Sequence, residues 1–281
     1  MLKPQQLIHN YTLHNLSSLV INSDSLKIRI MELTIQSILP DKTISHFVHS
    51  FWMLQNTSGK DITTTLLPNG MVDLVVIKTN SGKWNTVIRG IDTQHQKVTI
   101  STNTIMFSIG LKLLAVEYLL GDSIKDVLNE GKIISDKIWP FTDSDLSSLA
   151  LFAHKATQII NSLTPSTIDS RKLSLFQHLY TSNGSIAVKQ LSDKVFWSSR
   201  QINRYFNQQF GISLKSYCQI LRFGASFKPI SQGNFYPDQN YTDQNHFIKA
   251  IKKYSGVTPR ELGKNKQDQF IDIMAIKNLP S

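Results

Sequence analysis

The chain has 281 residues, a formal net charge of +10 and a sequence pI near 9.6. That length suits two domains, each able to bury a core. The single cysteine, Cys218, excludes an intramolecular disulfide framework, and no window approaches the run of about 18 apolar residues that a membrane-spanning helix needs.

Residues 1–142 read as a β-rich region. The opening Met1-Leu-Lys-Pro-Gln-Gln6 lacks a basic segment followed by an apolar run, so no signal peptide is expected and a cytoplasmic location is the natural reading. Strand candidates fall at 47–54, 63–67, 71–77, 84–89, 97–101 and 105–109. Pro68-Asn69-Gly70 and Asn80-Ser81-Gly82 are turn signals between them. Several short strands in succession predict a small barrel or sandwich, here a barrel or cupin-like sensor domain. Residues 111–120 and 123–129 change to helical spacing.

This region offers little chemistry. His46 and His49 are the closest histidine pair, and on a strand positions i and i+3 face opposite ways, so they would not share a metal. No Gly-rich phosphate loop, Gly-x-Ser-x-Gly elbow or Cys-x-x-Cys is present. Neither a metal nor a cofactor is expected, and no enzyme activity. Asp73 interrupts an apolar strand, where it is either functional or turned to solvent at an edge or to backbone in a turn.

Residues 143–180 are helical in pattern, with Asp143 or Ser144 as cap and a break at Thr164-Pro-Ser-Thr167. They read as a connector, packed on their own domain or pairing two subunits into a dimer. Thr181-Ser-Asn-Gly184 marks a boundary. Residues 184–195 then form a short helix with Ser185 as cap and Ile186, Val188, Leu191 and Val195 apolar. Phe196 and Trp197 lead directly into a second helix.

That second helix, 198–210, is the most informative element. Ser198 is its N-cap, Gln201 completes a capping box, and Gly211 ends it. Ile202, Phe206 and Phe210, with Tyr205, make an apolar stripe. Arg200, Asn203, Arg204 and Asn207 follow i, i+3, i+4, i+7 on another face. Arg suits guanine O6/N7 and Asn suits adenine N6/N7. Two short helices with so tight a connection form a helix-turn-helix, whose second helix enters the major groove. Phe196 occupies a turn position that often holds Gly, so it either packs into the domain or alters the helix crossing.

Farther on, Ser213 caps a helix running to about residue 230, and Gln232–Pro237 breaks it. Residues 243–255 are helical, with Phe247, Ile251 and Tyr254 inward and Gln244, Asn245, Lys249, Lys252 and Lys253 outward. Gly256 stops this helix. Thr258, Pro259 and Glu261 carry the cap, first-position proline and capping box of a last turn. Charge is uneven along the chain. Residues 181–281 hold 14 of the 30 Lys and Arg but only 6 of the 20 Asp and Glu. A basic C-terminal third next to a near-neutral remainder is the footprint of phosphate neutralisation.

These residues together resemble the DNA-binding domain of the AraC/XylS family of bacterial transcription regulators. The match spans roughly 184–263. It is carried by Leu191-Ser192, Ser198, Ile202, Arg204, Phe206, Gly211, Tyr217, Arg222, Ala225, Asp243-Gln-x-His-Phe247, Lys252-Lys253 and Gly256-Val-Thr-Pro259. Ser50-Phe-Trp52, Pro68-x-Gly70, Asp73-Leu-Val-Val76, Gly90 and Phe107-x-Ile-Gly110 resemble a β-rich sensor domain found with some members. The resemblance implies two helix-turn-helix units joined by a helix, each reading a major-groove segment of double-stranded DNA. Carried over by position, Arg200, Asn203 and Arg204 read bases, and Asn207 shares their face. Gln244, Asn245 and Lys249 match the second unit, while Ser198, Lys252 and Lys253 are placed on phosphates. It is compatible with a small-molecule effector, RNA polymerase and a second copy as partners. One departure stands out: only Tyr236–Thr242, with Pro237 inside, replaces a full helix of the second unit. Residues 181–265 are thus the expected DNA-binding domain and 266–281 a tail. The rival reading is a small-molecule-binding or cupin-like catalytic module with a degenerate helical interaction domain.

Overall fold

The structure is a computed structural model and describes residues 20–22, 25–30, 33–78, 82–236, 241–265 and 269–270. An N-terminal β-sheet region is followed by a helical C-terminal region. Strands β1 (Val20–Asn22), β2 (Ser25–Ile30), β3 (Leu33–Ile38) and β4 (Val48–Asn56) begin the sheet. They are followed by β5 (Ile62–Leu66), β6 (Val72–Lys78), β7 (Trp84–Arg89), β8 (Gln96–Ile100), β9 (Ile105–Leu111) and β10 (Gly131–Ile134). Eight of them pair in the order β1-β2-β3-β4-β9-β6-β7-β10, all antiparallel, while β5 and β8 pair separately. Among the described residues the sheet therefore stays open at β1 and β10 rather than closing into a barrel.

Alternation along the strands explains the two layers. Phe51, Leu74 and Ile109 lie in register across β4, β6 and β9, with Phe107 and Val76 two residues along on the same face. Helix α1 (Leu149–Leu163) covers that face, and the Phe152 ring lies 5.2 Å from Phe107 and 6.3 Å from Phe51. On the other face Leu33, Ile35 and Leu54 cluster with Ile100, so the β5–β8 pair covers one end of it. Asp73 lies on this second face. It accepts from the Ser108 hydroxyl at 3.2 Å and from the Trp52 indole, and burial pushes its carboxyl up to about 6.

Several local expectations change. Leu111 ends β9 rather than starting a helix, and a five-residue π turn, Val116–Leu120, follows. The helical spacing at 123–129 yields only a 3₁₀ turn, Lys125–Val127. Neither Asp143 nor Ser144 caps α1. Ser148 does, accepting from Leu151 N, while Asp143 accepts from the Trp84 indole at 2.7 Å. His46 sits in the turn before β4 rather than on a strand. No cluster of metal-ligating residues occurs among the described residues. No helix of the described residues is long and apolar enough to cross a membrane.

The helices after α1 are α2 (Ser170–Thr181), α3 (Val188–Val195), α4 (Ser199–Phe210), α5 (Leu214–Ala225), α6 (Phe227–Ser231), α7 (Gln244–Ser255) and α8 (Pro259–Lys264). The expected run from Ser213 to 230 breaks at Ser226 into α5 and the short α6. Of the segment 236–242, residues 237–240 lie outside the described residues. The two regions share one contiguous apolar core: Phe51, Leu74 and Phe152 belong to the same cluster as Phe206, Tyr217 and Phe247. Gln269 and Phe270 return to the sheet. Thr65 N–H donates to Gln269 O at 2.8 Å, and the Phe270 ring is buried.

Candidate nucleic-acid interface

Helices α3 and α4 make the helix-turn-helix. Helix α3 starts at Val188, later than its pattern predicts. Ser185 does not cap it; the Ser185 hydroxyl donates to Ser182 O, and Ala187 precedes the helix without a side-chain cap. Only Phe196, Trp197 and Ser198 separate the two helices. Phe196 takes a left-handed conformation, φ 52°, with 86% of its surface exposed, so it packs into neither helix. Trp197 does pack: its ring lies 5.4 Å from Tyr205, with the Arg171 guanidinium 5.4 Å over it.

Local chemistry fixes both ends of α4. Gln201 N donates to Ser198 Oγ, and Gln201 Oε1 accepts from Ser198 N, so both halves of the capping box form. Gly211 ends the helix at φ 71°. A Cβ there would also lie 3.0 Å from the Lys125 backbone, so the residue serves both the turn and a close approach. Ile202, Phe206 and Phe210 are buried, and the Phe206 ring lies 5.1–6.0 Å from those of Phe210, Tyr217 and Phe176. The opposite face carries the expected polar residues. Arg200, Arg204 and Asn207 are exposed. Asn203 is half-buried, and its side-chain amide donates back to Ser199 O at 3.0 Å. Ser198 is exposed with its hydroxyl engaged in the cap.

The β region grips the far end of α4. Ile124 N donates to Gln209 O at 2.9 Å, and Ser123 Oγ donates to Gln208 O at 2.8 Å. Carbonyls at a helix end lack intrahelical partners, so these donors from outside complete it. Halfway along, the Tyr205 hydroxyl donates to Glu117 Oε2 at 3.0 Å, and Glu117 Oε1 pairs with Lys172 of α2. Burial and the Glu117 charge together raise the Tyr205 pKa, so the hydroxyl stays a donor. Helix α5, just beyond, is tied to the turn before β6. The Tyr217 hydroxyl donates to Gly70 O at 3.1 Å and bonds Tyr180, whose hydroxyl accepts from Leu113 N. A Cβ on Gly70, at φ 78°, would crowd Leu221 and Tyr217 at 3.2 Å.

Helix α7 is arranged differently. Asp243 caps it by accepting from His246 N, and Gly256 ends it at φ 78°. Gln244, Asn245, Lys249, Lys252 and Lys253 are all exposed. At 3.6 residues per turn Gln244 lies well round the helix from Lys249, while Asn245, Lys249 and Lys252 lie closer together. Lys249 and Lys253 line a cavity of about 170 Å³ with Arg222 of α5, and the Lys253 ammonium sits 4.9 Å over the Tyr254 ring.

Glu117, Ser123, Ile124 and Gly70 escaped the sequence reading as partners of the helices. Their contacts join residues about 85 to 147 positions apart, and periodicity carries no signal at that range. A family described as a domain of unknown function (DUF6597) matches residues 36–131, about a third of the chain. No curated protein matches the sequence significantly. Among solved structures, ToxT from Vibrio cholerae at 1.65 Å resolution is 12% identical with a TM-score of 0.39, covering 75% of this chain and 97% of that one. ToxT bound to (E)-4-(8-methylnaphthalen-1-yl)but-3-enoic acid is 13% identical with a TM-score of 0.40, covering 74% and 96%. ToxT bound to an unsaturated fatty acid is 12% identical with a TM-score of 0.34, covering 72% and 93%. With scores below 0.5, the fold of this chain rests on its own sheet and helices.

Proposed function

We propose that the chain is a sequence-specific DNA-binding transcription regulator of the AraC/XylS type, in which α4 reads the major groove. The observation that carries this reading is the exposed row Arg200, Arg204 and Asn207 on a helix whose opposite side is fully buried. A helix anchored by Ile202, Phe206 and Phe210 holds its polar face in one orientation, and direct readout requires that. Asn203 joins the row by exchanging its bond to Ser199 O for one to a base. Lysines and arginines of the basic C-terminal segment set register on phosphates, while the row on α4 specifies sequence. In this scheme residues 1–142 sense an effector, 143–180 connect, 181–265 bind duplex DNA and 266–281 form a tail.

The test has two steps. Genomic fragments retained by the purified chain are sequenced, and the recovered site is titrated at several salt concentrations. The proposal expects a shared motif and an affinity that falls steeply with salt. No retained fragment at low salt would leave the rival small-molecule module as the better account.

A further inference from the structure

The turn between α3 and α4 carries two features that a helix-turn-helix does not require. Phe196 holds a left-handed backbone, φ 52°, which crowds a Cβ against the following carbonyl oxygen and which Gly adopts without strain. Its ring is 86% exposed, more than any other large apolar side chain among the described residues. Either feature alone is ordinary. Together they put backbone strain and an uncovered aromatic ring on one residue, and burial of that ring offsets neither. Strain of this kind persists where the surroundings over-determine the backbone, and it gathers at binding sites.

The surroundings here do over-determine it. Ser192 O accepts from Phe196 N and, at 3.3 Å, from Trp197 N, and Ser192 Oγ donates to Trp197 O at 2.6 Å. Trp197 is pinned from the other side by the Tyr205 ring and the Arg171 guanidinium. The Phe196 ring therefore projects from a backbone that is already ordered, so less freedom is lost when it meets a partner. The turn feeds directly into the start of α4. Phe196 precedes the cap Ser198 by two residues, a span of at most about 7 Å, and the exposed Arg200 follows two residues later. In a docked helix-turn-helix the N-terminal residues of the second helix meet base edges while the first helix crosses the backbone. On that reading the residue linking the two helices stands at the edge of the groove, beside the base that Arg200 faces.

We propose that the Phe196 ring is a further, apolar contact to duplex DNA, meeting the 5-methyl group of a thymine next to the bases read by α4. The proposal rests on the DNA-binding reading. Phe is among the side chains that contact this methyl in the major groove, where hydrogen bonds cannot report it. Continuity with the exposed row on α4 favours the duplex over a protein as the occupant. Phe196 thereby adds one base position to those assigned to Arg200, Asn203, Arg204 and Asn207, and does so from outside the helix.

Each thymine of the retained site is replaced singly by deoxyuridine, which lacks only the methyl group. The duplexes are titrated with wild type, Phe196→Gly and Phe196→Asn. Both substitutes suit a left-handed backbone, so the turn survives. Wild type is expected to lose about fivefold in affinity at one thymine and little at the others. Both variants should bind the all-thymine duplex about fivefold more weakly than wild type and lose nothing further at that position. The Tm of Phe196→Gly should rise by about 2–4 °C as the strain is relieved. A purely scaffolding role would instead weaken every duplex alike and leave the response to deoxyuridine unchanged. Variants that bind every duplex as wild type does, or that lose the same factor as wild type at each deoxyuridine, overturn the proposal. So does a wild-type affinity indifferent to every methyl group. A defect confined to transcription, with duplex binding intact, assigns the ring to a protein partner and overturns it as well. Failure of the DNA reading itself is distinguishable, because wild type then retains no duplex at all and both readings fall.

Discussion

Helices α4 and α7 are each 12 residues long, are both capped by a side chain at the start, and both end at a glycine in the left-handed conformation. Their surroundings part them. Helix α4 buries three large apolar side chains, has its last carbonyls capped by donors from Ser123 and Ile124, and leaves its polar row open. Helix α7 turns two of its lysines onto a cavity shared with α5. A helix that must discriminate bases needs rigidity and a free face; a helix that only needs to hold an anion needs convergent charge. On the proposed reading, discrimination falls to α4 and retention to α7.

The sharpest way to break this contrast is to remove the anchor of α4. Phe206→Ala should cost about 3–5 kcal/mol, since a fully buried ring leaves a cavity among Phe176, Phe210 and Tyr217. Urea denaturation measures it, and because the core is continuous with the sheet, both regions should lose stability in one transition. A loss below about 1 kcal/mol would mean that α4 is not held as described.

A carboxylate in the sheet offers a pH handle on the scaffold beneath the helices. Asp73, in the strand that follows the Gly70 turn, has its folded-state pKa raised to about 6 by burial. The folded state then binds more protons than the unfolded state between about pH 4 and 6, so stability falls as pH rises through that window. Above it the ionised group costs roughly 1–3 kcal/mol. Asp73→Asn should recover that amount at pH 7 and nothing below pH ~4, read from denaturation curves across pH. A pH-independent effect would contradict the assignment.

Two smaller changes sharpen the picture in and just before α4. Tyr205→Phe removes a hydrogen bond to an ionised carboxylate that keeps its pairing with Lys172, so a loss of about 1–2 kcal/mol is expected. Glu117→Gln in the same background should add less than it does alone if the two act together, which a double-mutant cycle shows. In the turn before α4, Phe196→Gly relieves a left-handed conformation at an exposed side chain and should stabilise by about 1 kcal/mol. A loss instead would mean that the ring makes a contact worth more than its strain.

What the sequence disclosed follows the range of the forces involved. Helix α4 was legible to the residue because the Ser198–Gln201 box, the stripe Ile202-Phe206-Phe210 and Gly211 all act within four positions. The strands on either side of Gly70 were legible for the same reason, although β5 pairs with β8 and β6 with β7 and β9 rather than with each other. The π turn at Val116–Leu120 and the late start of α3 were not, because apolar spacing at 111–120 and a serine at 185 mimic helical signals that tertiary packing overrides. The open sheet edge at β10 follows from its pairing with β7, more than forty residues earlier, as Gly131↔Arg89 shows. The grip of Glu117 and Ser123 on α4, and the convergence of Arg222 with Lys249 and Lys253, depend on topology that no local pattern encodes.

The central claim, that α4 specifies sequence and α7 does not, is tested most directly by measuring relative affinities of wild type, Arg204→Ala and Lys249→Ala for every single-base variant of the retained site. The account predicts that Arg204→Ala costs about 1–3 kcal/mol and flattens preference at one base position, while Lys249→Ala weakens all variants alike. An Arg204→Ala profile parallel to wild type, or a position-specific loss in Lys249→Ala, would contradict it.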